Sequence, residues 1–270
     1  PPPLLQAEAG IRDCTRSLVG SEMCIRDRMG PVPLTADGRF PLLVKLIDAR
    51  EHLSVQVHPT AEYTSKHSGT HLKTESWYVV DADPGAKLFL DVDASSPRER
   101  VMAYLDGVTI IPHLRAVPAQ VGAFHHVPAG MIHALGAGVM VAEIQTPSDT
   151  TFRLYDWATE YDRDPREMHT TQARETVVLR HPDAFDLAPM KTQTRRELAR
   201  NPYYWIDEHR AQGSSTLSDA AGFRILMCVA GTAQAGSVSM RQGSTVVVPA
   251  CALDAEITLD GTLLEIGVPV

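Results

Sequence analysis

Short runs in which apolar and polar residues alternate dominate the chain from Phe40 onward, and this pattern predicts β-strands. The run LSVQVHP at 53–59 would place Ser54, Gln56 and His58 on one face and apolar residues on the other, because side chains two apart share a face of a strand. Further runs of strand length are FPLLVKLIDA, KTESWYVVDA, KLFLDV, GVMVAEIQ and TTFRLYDW. Short strands separated by turns predict a sandwich or a barrel.

Three short helices are predicted between the strands. The segment TAEYTSKHSG at 60–69 follows a proline and ends at a glycine, and SSPRERVMAYLDG at 95–107 has serine at its start and glycine after its end. The third, DRDPREMHTTQARETVV at 162–178, is expected to open at Asp164-Pro165.

The pattern divides the chain into four parts. Residues 1–39 do not share the globular pattern, and we expect 1–28 to be foreign or disordered. Residues 40–175 are predicted to form the barrel that carries the candidate site, 176–202 a polar linker or helical connection, and 203–270 a second β-rich domain. Gly243-x5-Pro249 repeats half of a motif found earlier in the chain, which predicts that the second domain is a degenerate copy of the first.

Composition excludes some functions. The net charge is −8, which argues against nucleic acid or an anionic membrane as the partner. Four cysteines without regular spacing favour reduced thiols in a cytosolic protein. No apolar run approaches the roughly 18 residues of a membrane span, and the first ten residues lack a secretory-signal pattern, so a cytoplasmic location without membrane contact is expected.

Four residues on three separate runs are candidate metal ligands. The stretch GAFHHVPAGMIH at 122–133 ends in His133 behind a Pro-x-Gly turn, and it joins Gln56, His58 and Glu75 as donors that strands can point into a barrel. Two histidines and a glutamate suit zinc with an open position, but the same donors also suit iron, manganese or cobalt. His125 and His126 are expected to lie outside the direct ligand set.

Three further polar residues lie on strand positions near these motifs. Lys73 shares a face with Glu75, Glu143 lies in VMVAEIQ, and Arg153 lies in TTFRLYDW. An arginine beside such a site can stabilise developing oxyanion charge or hold a phosphate, whereas a structural ion pair is the alternative interpretation of Glu143 and Arg153.

In combination, LVKLIDA, LSVQVHP, KTESWYVV and VPAGMIHALGAGVMVAEIQTPSDTTFRLYDW resemble the type I mannose-6-phosphate isomerases of short bacterial form, members of the cupin superfamily. The resemblance runs from Phe40 to Val270 and implies a mainly β fold of two cupin-type jelly-roll barrels with a few short helices, the second barrel being degenerate. Longer family members place a lysine a few residues after the arginine, and Thr159 and Glu160 occupy that region here.

The resemblance also implies the chemistry of the site. Gln56, His58, Glu75 and His133 would bind one zinc ion per chain, Arg153, Glu143 and Lys73 would be catalytic, and Ser54 and Lys73 would bind substrate. The implied reaction interconverts mannose 6-phosphate and fructose 6-phosphate through an enediol, in a monomer or weak dimer. The general base remains open among Glu143, Lys73 and a water, and the alternatives to an isomerase are an iron cupin dioxygenase and a non-catalytic cupin that binds sugar phosphates.

Overall fold

The structure is a computed structural model that describes residues 28–105, 108–191, 194–218, 221–253 and 256–270. The hypothesis that residues 1–28 are foreign therefore lies, apart from Arg28, outside the described residues. The strands are β1 (Leu43–Ala49), β2 (Val55–Val57), β3 (Glu75–Ala82), β4 (Lys87–Val92), β5 (Leu114–Pro118), β6 (Phe124–Val127), β7 (His133–Leu135), β8 (Val139–Gln145), β9 (Phe152–Tyr155), β10 (Phe185–Leu187), β11 (Arg195–Arg200), β12 (Trp205–Ser215), β13 (Arg224–Ala235), β14 (Val238–Arg241), β15 (Thr245–Val248) and β16 (Ile257–Gly267). The α-helices are α1 (Ala61–Lys66), α2 (Arg98–Ala103) and α3 (Thr170–Thr176), and 3-10 helices occupy Val108–His113 and Ala250–Ala252.

The fold is mainly β with few helices, as predicted, and it divides into two compact units. Of the described residues, 39–191 belong to the first unit, and 28–38 together with 194–270 belong to the second. No helix among the described residues has both the length and the apolar character needed to cross a bilayer.

The first unit contains two five-stranded antiparallel sheets, in the orders β1-β8-β3-β6-β10 and β5-β4-β7-β2-β9. Alternate residues of the strands point into a common interior, where apolar side chains such as Trp77, Leu88, Leu90 and Val141 form a buried cluster. This arrangement is the cupin-type sandwich that the sequence predicts, and it directs every second residue of β2, β3, β7 and β8 inward.

The register aligns polar residues in rows across both sheets. In the first sheet, Glu75 on β3 pairs with Gln145 on β8, and the row two residues further on is Lys45, Glu143 and Trp77. In the second sheet, Gln56 on β2 pairs with His133 on β7 on one side and with Arg153 on β9 on the other. Residues paired in this way share a face of the sheet, so the register concentrates the polar side chains of strands far apart in sequence.

The second unit is built on one six-stranded antiparallel sheet. Its order is β11-β12-β16-β13-β14, with β15 also paired to β13. The long strands β12, β13 and β16 cover a core that contains Leu226, Cys228, Met240 and Leu263.

The helices form where the sequence predicts them, although with different limits. The side chain of Thr60 accepts a hydrogen bond from the Tyr63 amide at 3.2 Å and caps α1. The third helix begins at Thr170 rather than at Asp164-Pro165, because Asp156 instead accepts the amide of Arg166 at 2.8 Å and holds that segment as a loop. Part of the expected linker 176–202 is also in sheets, because Phe185–Leu187 pairs with β6 and Arg195–Arg200 pairs with β12.

Candidate metal centre

His58, Glu75 and His133 converge in the interior of the first unit. The Nε2 atom of His58 lies 3.1 Å from Oε2 of Glu75, and Nε2 of His133 lies 3.4 Å from Oε1 of the same carboxylate. All three side chains are at most 1% exposed. Ligands about 2.1 Å from a tetrahedral zinc ion are about 3.4 Å from one another, so the spacing of these atoms suits a divalent ion. Among the described residues, this is the group of three or more potential ligands that meets such spacing.

The hydrogen bonds of this group leave several of its donor atoms available to a metal. Nδ1 of His133 lies 2.9 Å from the carbonyl oxygen of Met131 and donates to it, which leaves the Nε2 lone pair facing Glu75. Oε1 of Glu75 and Nδ1 of His58 are buried without a hydrogen-bond partner. A buried polar atom without a partner is costly, and an ion bound by the carboxylate would remove that cost.

The electrostatics favour a carboxylate and two neutral imidazoles. Burial lowers the pKa of His58 to about 3, against the attraction of Glu75, and burial likewise lowers the pKa of His133. Burial alone would raise the pKa of Glu75, but the Lys73 ammonium, followed by the two neighbouring imidazoles, outweighs it and holds that pKa well below 4.5. At neutral pH Glu75 is therefore a carboxylate and both imidazoles are neutral, so each imidazole carries one proton and one lone pair.

Gln56 and Ser54 lie beside this group. The amide nitrogen of Gln56 is 3.2 Å from Nε2 of His133, and the hydroxyl of Ser54 donates to the amide oxygen of Gln56 at 3.2 Å. A rotation of the Gln56 amide would turn its oxygen towards an ion held by the histidines. The structure thus places all four predicted ligands together, with Ser54 in contact with one of them.

Arg153 lies on the same face as Gln56 through the β2–β9 register. Its Nη1 donates to the carbonyl oxygen of Glu167 at 2.9 Å, and its Nε is buried without a hydrogen-bond partner. Burial lowers the pKa of this guanidinium from its ordinary value. Arg153 therefore lies beside Gln56 on the strand that flanks β2 on the side opposite His133.

Glu143 and Lys73 approach the group from the other sheet. The ammonium of Lys73 is 7% exposed and lies 3.2 Å from Oε2 of Glu75. Glu143 accepts hydrogen bonds from Lys45 at 2.7 Å and from the Trp77 indole at 3.2 Å. Burial, followed by the nearby charge of Glu75, raises the pKa of Glu143.

Lys45, Trp77 and Gln145 also belong to this site, although the sequence alone did not identify them. Lys45 donates to both Glu143 and Gln145, and the Trp77 ring packs edge-on against His133 at 5.4 Å between centroids. A lysine within the apolar run LVKLIDA was the available signal for Lys45, because an unpaired charge is costly in a buried strand.

The turn before His133 ties two ligand segments together. Gly130 has φ of +92°, and its amide donates to the carbonyl oxygen of His58 at 2.9 Å. A Cβ at Gly130 would lie 2.9 Å from side-chain atoms of both Thr60 and Val178. Both the backbone conformation and the close packing therefore require glycine at this position.

The adjacent histidines have other contacts. Nδ1 of His125 lies 2.8 Å from Asp186, and Nδ1 of His126 lies 2.9 Å from the Ser76 hydroxyl. His125 pairs with Trp77 across β3–β6, and the Trp77 ring contacts His133.

Comparison with known proteins gives a consistent result. Residues 12–86 match the family described as phosphomannose isomerase type I, catalytic domain; the match begins before Phe40, where the resemblance was expected to start. The mannose-6-phosphate isomerase of Streptococcus mutans is 32% identical over 219 residues, covering 78% of this chain and 68% of that protein.

Solved structures share the fold. The mannose 6-phosphate isomerase from Bacillus subtilis has a TM-score of 0.75 at 27% identity, over 90% of this chain and 79% of its own. A mannose 6-phosphate isomerase solved with zinc and yttrium bound has a TM-score of 0.67 over 91% of this chain and 83% of its own, and its 14% identity supports the likeness of fold alone. The chain belongs to the type I mannose-6-phosphate isomerase family, a family of aldose–ketose isomerases with the cupin-type fold.

Proposed function

We propose that the chain is a zinc-dependent enzyme that interconverts mannose 6-phosphate and fructose 6-phosphate through a cis-enediol. The observation that carries this proposal is the buried group His58, Glu75 and His133, whose donor atoms lie within 4.8 Å of one another, with the Lys73 ammonium 3.2 Å from Glu75. Membership of the family indicates the substrate and the reaction type. The set of donor atoms indicates a bound metal.

Zinc is the metal that the donors and the comparisons favour together. Two imidazole nitrogens, a carboxylate oxygen and the Gln56 amide form a set that zinc accepts, and a structural neighbour was solved with zinc. Zinc in this position would polarise the sugar carbonyl and orient its neighbouring hydroxyl.

Arg153 would stabilise the negative charge that develops on the enediolate oxygen. Its Nε lacks a hydrogen-bond partner in the described structure. A guanidinium N–H that is already in position costs little reorganisation energy when charge develops during the reaction. A single well-placed donor of this type is worth roughly 3 kcal/mol.

Glu143 is the group best suited to move the proton between C2 and C1. Burial and the charge of Glu75 raise its pKa towards the operating range, which is what general acid–base catalysis requires. Lys45 and Trp77 fix both of its oxygens and thereby hold the carboxylate at one place.

Lys73 and Ser54 would position the substrate. Lys73 is anchored to Glu75 with its remaining N–H groups available, since an ammonium carries three donors. Ser54 holds the Gln56 amide, and its hydroxyl can accept from a sugar hydroxyl at the same time.

Metal removal tests this proposal directly. A coupled assay should detect fructose 6-phosphate from mannose 6-phosphate, a chelator should abolish the signal, and zinc should restore it. His133→Ala should lose both the bound metal and the activity, whereas His67→Ala, a change of a half-exposed histidine in the same unit, should lose neither. Oxygen consumption by an iron-loaded protein would indicate a dioxygenase instead, and tight mannose 6-phosphate binding without turnover would indicate a non-catalytic binder.

A further inference from the structure

Lys73 lies just before a strand rather than within one, although its ammonium reaches the metal-ligand group. Strand β3 begins at Glu75, so residues 71–74 precede the ladder that this strand forms with β8. The Lys73 amide reaches the carbonyl oxygen of Pro59 over a long 3.4 Å. The Lys73 side chain is nevertheless buried, with its ammonium 3.2 Å from Oε2 of Glu75. A side chain held so closely requires a backbone that is fixed by further contacts.

The turn that follows β8 supplies those contacts through hydroxyl groups. The Thr146 hydroxyl donates to the carbonyl oxygen of Leu72 at 3.1 Å and accepts the amide of Thr74 at 3.3 Å. The Ser148 hydroxyl donates to the carbonyl oxygen of His71 at 2.9 Å. Side chains of this turn thus satisfy main-chain groups that a neighbouring strand would otherwise satisfy.

The two groups that bind the Thr146 hydroxyl lie on either side of Lys73. A hydroxyl can donate one hydrogen bond while it accepts another, so a single oxygen atom closes a ring that contains the whole Lys73 backbone. The Thr146 amide adds a bond to the carbonyl oxygen of Thr74 at 3.1 Å. This ring restricts both soft dihedral angles of Lys73 and therefore the direction in which its side chain leaves the backbone.

The turn that carries Thr146 is itself fixed. The side-chain amide of Gln145 donates to the carbonyl oxygens of Thr146 and Ser148, each at 2.8 Å. Gln145 also pairs with Glu75 in the β3–β8 register. The Thr146 hydroxyl consequently has a defined place relative to the Glu75 carboxylate.

Water has little access to this arrangement. Thr146 is 7% exposed, Thr74 is 5% exposed and Lys73 is 6% exposed. Because a buried main-chain group that loses its partner pays the cost of desolvation, the hydroxyl is not readily replaced by solvent.

We propose that Thr146 is a positioning residue of the isomerase, whose hydroxyl fixes the backbone of Lys73 and thereby holds the ammonium beside Glu75. The inference rests on the proposed function, in which Lys73 positions the substrate. A misplacement of about 1 Å at such a site can lower a rate by up to about 100-fold, so Thr146 affects turnover by acting through Lys73.

The first test removes the hydroxyl and keeps the shape of the side chain. Thr146→Val should lower kcat/KM for mannose 6-phosphate about tenfold or more, because Lys73 loses its fixed direction. The bound zinc should remain at one ion per chain. Thr146→Ser retains the hydroxyl and should stay within about threefold of wild type. Equal losses in the valine and serine variants would overturn the inference.

Thr64→Val is the matched control. The Thr64 hydroxyl also donates to a main-chain carbonyl oxygen in the first unit, that of Ala61 at 3.1 Å, but it lies in α1. Its loss should leave kcat/KM unchanged.

A double-mutant cycle shows whether Thr146 acts through Lys73. In the background of Lys73→Met, Thr146→Val should change kcat/KM by less than about twofold, because the group that it positions is already absent. The same loss in both backgrounds would show that Thr146 acts independently of Lys73, and it would overturn the inference while the isomerase stands.

Reductive methylation of lysines with formaldehyde and borohydride, followed by peptide mass spectrometry, requires no turnover. Lys73 should react roughly tenfold faster in Thr146→Val than in wild type, because local opening exposes an ammonium that is otherwise buried. Lys66, whose side chain is 63% exposed, should react equally in both proteins. This measurement also decides the matter where Lys73→Met is too slow to assay.

The labelling separates this inference from the proposed function. Equal labelling of Lys73 in wild type and Thr146→Val would overturn the positioning role, whatever the activity of the protein. Faster labelling in a protein that converts no mannose 6-phosphate would support the hydroxyl contact with the Lys73 backbone, although the proposed function had failed.

Discussion

Each unit of the molecule buries a histidine against a glutamate, yet the two pairs have opposite surroundings. In the first unit His58 lies 3.1 Å from Glu75, and in the second His209 lies 2.8 Å from Glu265. The carboxylate of Glu75 retains an oxygen without a hydrogen-bond partner. The carboxylate of Glu265 accepts the Ser218 amide at 2.9 Å, the Ser218 hydroxyl at 2.7 Å and the Arg224 guanidinium at 3.0 Å.

The difference shows what separates a ligand group from a structural ion pair. Arg224 is fully buried and supplies the positive charge that Glu265 needs, so that carboxylate has no remaining demand for a cation. Lys73 and His58 both approach Oε2 of Glu75, whereas Oε1, 3.4 Å from Nε2 of His133, has no hydrogen-bond partner and remains for a metal. Burial and residue type are alike in both units, and hydrogen-bond saturation distinguishes them.

The largest expected effect is on metal binding and turnover, when Glu75 and Glu265 are replaced separately by glutamine. Glu75→Gln should abolish zinc binding and lower turnover about a thousandfold or more, because a metal in this role supplies several kcal/mol of transition-state stabilisation. Glu265→Gln should leave one zinc per chain by elemental analysis. Retention of full zinc content in Glu75→Gln would remove the distinction between the two units.

The next effect concerns stability in the second unit. Arg224→Met should lower the free energy of unfolding by about 3–5 kcal/mol, because it leaves Glu265 buried without its cation. Arg200→Met is the matched control: Arg200 also lies over Trp205, at 5.0 Å against 4.9 Å for Arg224, but is 41% exposed. Arg200 is paired with the buried Asp207, but Asp207 keeps Arg195 at 2.8 Å, so losing the half-exposed Arg200 should cost about 1 kcal/mol or less.

Urea unfolding monitored by hydrogen exchange in β12 and β16 would measure both variants. Equal losses in Arg224→Met and Arg200→Met would show that stacking on Trp205, rather than the buried ion pair, carries the stability. Zinc content should be unchanged in both.

The smallest expected effect is on the pH dependence of the unfolding free energy, to which Glu143 and Glu265 contribute in opposite directions. Burial raises the pKa of Glu143, so the folded state binds that proton more tightly and the contribution of Glu143 to stability declines as pH rises through its folded pKa. Burial alone would raise the pKa of Glu265, but hydrogen bonds from His209 and Ser218 lower it below 4.5, so its contribution is complete above 4.5 and is lost as pH falls through the folded pKa.

The measurement is the difference in unfolding free energy between wild type and each variant, Glu143→Gln or Glu265→Gln, across pH 3–8. The two differences should change with pH in opposite directions. Each should change in total by roughly 1.4 kcal/mol for every unit by which folding shifts the pKa of that glutamate. If Glu143 transfers the proton, Glu143→Gln should also lose the acidic limb of the kcat profile and lower kcat by about 10²-fold or more. Parallel slopes would contradict the contrast between the two environments.

The sequence predicted the mainly β fold and the donors that form the site, because both depend on local patterns. Alternation in LSVQVHP places Gln56 and His58 on one face, and the Pro-x-Gly turn marks His133. The register that sets His133, Gln56 and Arg153 in one row depends on pairing between distant strands, which no local pattern specifies. For the same reason the partners Lys45 and Trp77 emerged only from the structure.

The division of the chain shows a similar limit. Residues 185–187 form a strand because they pair with β6. Their own sequence, FDL, gives little indication of a strand. The proposal that the second unit descends from a copy of the first remains a prediction, and the single six-stranded sheet gives its present architecture.

Gly130 has a consequence for how the enzyme can be assembled and altered. Its amide joins the backbone of one imidazole-bearing segment to the turn that precedes the other, so residues 75 positions apart in sequence move as one body. Neighbouring side chains fill the space around its α-carbon, and the left-handed backbone leaves no inexpensive replacement. The spacing between the two imidazoles thus depends on a residue that has no side chain, and a substitution there would displace both imidazole-bearing segments at once.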